Sequence, residues 1–212
     1  RSDLPLRDLG WSSFQKHYHE ANSAFWVARY LALEGRYEEA RESVKLGMQV
    51  LNGSAIGRIP QNKNADFAEL KAEGLHLLAT RVEFELKQFK EASTLLSEAL
   101  KIPFLNKSWQ LRLWWDLGWN YYHGGNFAEA QKTWLVFQSK AEFDSQKARA
   151  LYWLGRNSEK LGDASLAKRY AEQLRKEHPL DFYNVVGLGQ GTGVDGWQQA
   201  FPSVVELQEQ LK

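Results

Sequence analysis

The sequence predicts an all-α chain of repeated helix–turn–helix units, and three observations carry that reading. A short phrase recurs four times, as Gly35-Arg36-Tyr37-Glu38-Glu39-Ala40, Lys87-Gln88-Phe89-Lys90-Glu91-Ala92, Gly125-Asn126-Phe127-Ala128-Glu129-Ala130 and Gly162-Asp163-Ala164-Ser165-Leu166-Ala167. Residues that end and start helices sit at matching places around it. No run of alternating β-branched residues reads as a strand. The closing alanines are spaced 92−40=52, 130−92=38 and 167−130=37 residues apart. The last two intervals lie slightly above a helix-pair period of ~34 residues. The first leaves room for an inserted loop, and Asn52-Gly53-Ser54 through Gln61-Asn62-Lys63-Asn64, with Gly57 and Pro60 as breakers, has the composition for one.

Helices are expected near 12–34, 38–51, 65–86, 89–101, 108–123, 127–140, 145–160 and 164–177. Asn126 and Asp163 are N-cap residues placed directly after a glycine that can end the preceding helix. Glu129 follows Asn126 by three, as in a capping box. Pro103 and Pro179 fall just past the second helices of their units, where a proline stop belongs. In the third unit Trp114-x2-Leu117-Gly118-x2-Tyr121 is followed by Gly125, Phe127, Ala130 and Trp134. Trp114, Leu117 and Tyr121 share one helical face, and Gly118 and Ala130 are small enough for close helix approach. This unit resembles the tetratricopeptide (TPR) pattern. The fourth keeps Leu154-Gly155, Gly162, Ala167 and Pro179, while the first two keep only the turn and its alanine. The expected fold is therefore all-α, with TPR-like helix–turn–helix repeats forming an α-superhelix. The expected domain runs over 1–186, with units near 12–51, 65–101, 108–140 and 145–177. Residues 187–212 read as a Gly-rich linker and a short terminal helix.

Composition narrows the function. Hydrophobic residues make up 43% of the 212, enough for a packed core rather than disorder. Lys plus Arg number 27 against 26 Asp plus Glu, with no basic block, which argues against tracking a phosphate backbone. With no Cys, disulfides, thiolate chemistry and Cys–zinc sites are excluded. No stretch has the apolar length of a membrane span. The chain opens at Arg1-Ser2-Asp3 without an apolar signal region, so the expectation is a removed signal segment or an excised piece. Aromatic residues reach 13%, nine of them Trp, and need a reason in packing or in a ligand surface.

Several motifs fail on inspection. Gly191-Thr192-Gly193-Val194-Asp195-Gly196 matches G-x-G-x-x-G but lacks the strand before it and the helix after it that a dinucleotide site needs. Glu42-Ser43 and Gly47-Met48-Gln49 have the look of two lytic-transglycosylase motifs, but both lie on one repeat helix. The aromatic expected after Glu-Ser is missing, as is the Leu of the second motif, and nothing evident raises the pKa of Glu42. His17, His19, His76, His123 and His178 are scattered, without the i, i+4 spacing of a zinc site. No catalytic residue, metal or cofactor is implied.

A longer match lies at the C-terminal end. Ala150-Leu151-Tyr152-Trp153-Leu154-Gly155-Arg156, Lys160-Leu161-Gly162, Ala167, Tyr170 and Pro179-Leu180-Asp181-Phe182-Tyr183, followed by Val194-Asp195-Gly196-Trp197-Gln198-Gln199-Ala200-Phe201-Pro202, resemble the helical domain of soluble lytic murein transglycosylases. Asn184 departs from the Gly usual there, and the catalytic Glu has no counterpart in the chain. The resemblance implies a periplasmic, cell-wall protein whose lysozyme-like domain would begin about where this chain stops, at Lys212. This chain would then be a non-catalytic scaffold that helps bind or position peptidoglycan glycan strands for a catalytic domain in the same polypeptide. The alternative is a free-standing TPR-type adaptor that grips a protein or peptide. The reading frame after Lys212 separates the two. Neither reading involves nucleic acid.

In TPR arrays the first helix of each unit lines the concave surface. Aligning on Ala130 places Arg112, Trp115, Trp119, Tyr122 and His123 there, on a stripe distinct from that of Trp114, Leu117 and Tyr121. Aligning on Ala167 adds Arg149, Tyr152, Arg156 and Glu159. Aromatic faces flanked by arginines suit sugar rings bearing acidic peptide stems, or an extended acidic peptide. The competing reading is that the same aromatics fill the space between adjacent units.

Overall fold

The computed structural model describes residues 6–52 and 64–184, with side chains for 15–52 and 65–184. The expected linker and terminal helix, the literal G-x-G-x-x-G and most of the inserted loop fall outside these residues. Every regular element among the described residues is helical. In order they are α1 (Leu6–Leu33), α2 (Tyr37–Asn52), α3 (Asn64–Leu77, continued by a π-helical stretch Leu78–Glu83), α4 (Phe89–Ala99), α5 (Lys107–His123), α6 (Phe127–Lys140), α7 (Asp144–Lys160) and α8 (Ala164–Glu177). The chain divides into two compact units, Arg1–Asn126 and Phe127–Lys212, parted at the turn after α5.

The recurring phrase builds the same turn four times. Gly35, Gly125 and Gly162 take φ values of +74°, +75° and +78°, and Lys87 takes +61° at the equivalent place. In each case the next residue donates its N–H five residues back: Arg36 to Leu31 O (2.9 Å), Gln88 to Glu83 O (2.8 Å), Asn126 to Tyr121 O (2.8 Å) and Asp163 to Ser158 O (2.9 Å). This is the Schellman helix stop, whose left-handed residue is normally glycine because a Cβ is strained there. Asp163 then caps α8, its carboxylate accepting from Leu166 N at 2.9 Å, and Asn106 caps α5 through Trp109 N at 2.9 Å. The alanines that close the phrase are buried in all four copies.

In the first unit α1 packs along α2, α3 lies against both, and α5 packs on α3 and α4. Phe25, fully buried, is the centre of the N-terminal core with Ala40, Val44, Leu70, Leu77 and Val82 around it. Two glycines make room for its ring. A Cβ on Gly47 would lie 2.6 Å from Phe25 Cε1, and one on Gly74 would lie 2.4 Å from Phe25 Cζ. A second cluster joins Ala92, Leu96 and Ala99 of α4 to Leu113 and Leu117 of α5, with Trp114 and Tyr121 against it. In the second unit Trp134 and Phe137 are buried, and Ala148, Leu151 and Leu174 form a cluster covered by Tyr152, Tyr170 and Tyr183.

One polar device recurs in each unit. Asn120 Nδ2 donates to Phe89 O and Ser93 Oγ, both at 2.6 Å. Asn157 Nδ2 donates to Phe127 O at 2.9 Å and Gln131 Oε1 at 2.8 Å. Phe89 and Phe127 open α4 and α6, so each asparagine ties the next first helix to the start of a second helix.

The sequence reading of α3 as one regular helix needs correction. Phe84 N donates to Ala79 O at 2.9 Å, a bond spanning five residues, so one extra residue is taken up. Behind this stretch the buried Glu83 carboxylate is held by Arg41, Nε to Oε1 at 2.8 Å and Nη2 to Oε2 at 2.9 Å. The paired carboxylate raises the Arg41 pKa further above its ordinary value.

Candidate functional site

The five candidate residues on α5 fall in the first unit. Trp115, Trp119 and Tyr122 are half-buried and form a row of near-parallel rings, with centroids 6.3 Å and 6.0 Å apart and interplanar angles of 17° and 11°. His123 meets Trp119 edge-on at 4.6 Å and Phe84 at 5.1 Å. Burial, and then the charge of Lys87, push its pKa below the usual imidazole value. Arg112 is exposed and stacks its guanidinium over Trp109 at 5.4 Å.

Arg112 and Trp119 also line a groove over the first helices α1, α3 and α5. It consists of two hollows of about 470 Å³ and 360 Å³ that share His76, Thr80, Arg81, Glu85 and Arg112. At the α1 end the wall is Arg29, Ala32 and Leu33, and at the other it is Phe84, Asp116 and Trp119. His76 Nε2 and Asp116 Oδ2 are 2.7 Å apart, joining α3 to α5 across the floor, and Trp109 meets the imidazole edge-on at 5.7 Å. Arg29, stacked over Trp26 at 4.7 Å, pairs with Glu73. Burial lowers the Arg29 pKa from its ordinary value.

Of the five α5 candidates Arg112 and Trp119 line these hollows, and the sequence reading named none of the α1 and α3 residues. His76 stood alone there because its partner is 40 residues away. The signal for the other walls was present in the same alignment. Trp119, Tyr122 and His123 precede Ala130 by 11, 8 and 7 residues. The same offsets from Ala92 give Arg81, Phe84 and Glu85, and from Ala40 they give Arg29, Ala32 and Leu33. All six line the groove. The Trp115 offset of 15 gives Leu77, which is buried. The extra residue of the π-helical stretch moves the register by one on its N-terminal side, and His76 and Leu77 both border the hollow at the α1 end.

The remaining candidates lie on α7 in the second unit. Arg149 stacks over Phe137 at 5.2 Å. Tyr152 is half-buried on the Ala148–Leu151–Leu174 cluster, with its ring 5.2 Å from Trp153 and 5.4 Å from Tyr183. Packing therefore accounts for much of this tyrosine. Arg156 pairs with Glu159 at 3.3 Å along the helix. Glu42, the carboxylate of the discarded transglycosylase motif, is exposed and paired with Lys45 at 2.8 Å. Among the described residues no helix is long and apolar enough to cross a membrane.

A tetratricopeptide-repeat family model matches residues 149–181. Among solved structures, the chain is similar to a crystal structure of nearly identical TPR-like repeats from Podospora anserina, described as kinesin light chain. The TM-score is 0.60 at 20% sequence identity, and the match covers 92% of each chain. The fold is thus all-α, made of TPR-like helix–turn–helix repeats. No curated protein matches the chain. The comparisons point to TPR-like repeats and not to lytic transglycosylases. The repeat match spans residues 149–181, which include the Ala150–Asp181 part of the transglycosylase resemblance.

Proposed function

We propose that the chain is a protein-interaction module that holds an extended segment of a partner protein in the groove over α1, α3 and α5. The observation that carries this reading is the continuity of the two hollows across three successive first helices. An open channel of that form, lined by charged and polar side chains with Leu33, Phe84, Trp109 and Trp119 among them, suits an extended chain better than a compact small molecule. Peptides selected from a random library on the whole chain test it. They should compete with one another, and Leu33→Ala and Trp119→Ala should weaken them without lowering the melting temperature by more than a few degrees. Selected peptides that bind both variants as tightly as the parent would rule the groove out.

A second reading is a peptidoglycan-facing scaffold in the periplasm, attached to a lytic-transglycosylase domain. What favours it is the row of parallel rings Trp115, Trp119 and Tyr122, a surface suited to sugar faces. Pull-down on purified sacculi, with Trp115→Ala and Tyr152→Ala as controls, tests it. If both variants unfold, or both bind like the parent, this reading should be dropped.

A further inference from the structure

The groove's charges are not left equally available. Glu73 is taken by Arg29, and Asp116 is taken by His76. Arg81 and Arg112 make no ion pair among the described residues, although both line both hollows, and both are exposed. They come from different helices, α3 and α5, so they present two separate fork-shaped donors along the channel. The one carboxylate of the groove left without an ion pair among the described residues is Glu85. Arg112 is further fixed by its stack on Trp109, which reduces the ordering cost of a hydrogen bond to a ligand.

We propose that the groove takes an extended segment of a partner protein carrying two acidic side chains, one for Arg81 and one for Arg112. This rests on the groove being the binding surface. Three first helices at about 8–10 Å spacing span roughly 20 Å, or about six residues of extended chain. The two acids therefore belong on one short stretch. Each would form a charge-assisted, potentially bidentate bond beside an aromatic wall, where the local dielectric is below that of water.

The test uses three labelled peptides of equal length on the whole chain, alternating Ala with Glu, Gln or Lys. The Glu–Ala peptide should bind at least about tenfold tighter than Gln–Ala, by the worth of one charge-assisted hydrogen bond or more. Its affinity should fall as salt rises. Arg81→Gln and Arg112→Gln should each weaken Glu–Ala about tenfold and leave Gln–Ala unchanged. The double variant Arg81→Glu/Arg112→Glu should prefer Lys–Ala. Because neither arginine is in an ion pair among the described residues, the variants should melt with the parent. If the parent binds Glu–Ala and Gln–Ala equally, or the arginine variants weaken both alike, the acidic partner is wrong while the groove stands. If no peptide binds, or Trp119→Ala changes none of them, the groove reading falls and this inference with it.

Discussion

Replacing Gly74 by alanine tests the packing that places α3 against α1 and α2. The added Cβ would sit 2.4 Å from Phe25 Cζ, 2.8 Å from Met48 Sδ and 2.9 Å from Phe25 Cε1. Carbon contacts are optimal at about 3.5–4.0 Å, so the overlap with the ring exceeds ~1 Å. Met48 can swing its sulfur away. Phe25 cannot, because it is fully buried and its other side already meets Gly47. Overpacking of this kind costs about 1–3 kcal/mol, while the higher helix propensity of alanine returns about 0.5–1 kcal/mol. The expected net loss is about 1–2 kcal/mol, or a fall of roughly 2–8 °C in melting temperature. Urea unfolding followed by far-UV circular dichroism measures it. Phe25→Leu, which shortens the side chain where the clash arises, should recover part of the loss in the double variant. A Gly74→Ala chain as stable as the parent, or a double variant no better than the sum of the singles, would show that Phe25 does not fill the space between these glycines.

Further outcomes are expected from three other places. Lys87→Gly should stabilise the chain by up to ~1 kcal/mol, since glycine takes the left-handed φ of this turn without Cβ strain, and equilibrium unfolding would show it. The same change removes the second cause that lowers the His123 pKa, so NMR titration should find the His123 midpoint below the usual ~6.5 in the parent and higher in the variant. A lowered folded pKa means that the unfolded state binds more protons, so His123 contributes stability above about pH 6.5 that is lost as pH falls below it. His123→Gln should flatten that part of the stability profile. Asn157→Ala removes the side-chain donor shared by Phe127 O and Gln131 Oε1 and should cost about 1–2 kcal/mol. Hydrogen exchange should report faster opening of α6–α8.

The fold was legible because each repeat carries its own local instructions. The turn phrase specifies a helix stop through glycine φ and a restart through Asp163, and these act over a handful of residues. The buried alanine that ends the phrase marks where two helices meet. Even a degenerate copy such as Lys87-Gln88-Phe89 forms the same hydrogen bonds, because the backbone pattern tolerates a strained lysine where tertiary packing holds the helices in place. By contrast, the pairing of Arg41 with Glu83 joins positions 42 residues apart, and no periodicity announces it.

The site was legible only in part, for a related reason. The aromatic stripe of α5 stood out because tryptophan is rare, whereas Arg29, Ala32, Leu33, Arg81 and Glu85 look like ordinary surface residues until the offset from each alanine is applied to every repeat. The π-helical stretch then breaks that offset by one residue on its N-terminal side, where His76 meets Asp116. The buried Arg41–Glu83 pair sits directly behind that stretch and holds it. A change at Arg41, outside the groove lining, should therefore alter peptide binding through the π-helical stretch that carries Thr80 and Arg81, whereas a change at a solvent-facing α4 residue such as Glu91 should not.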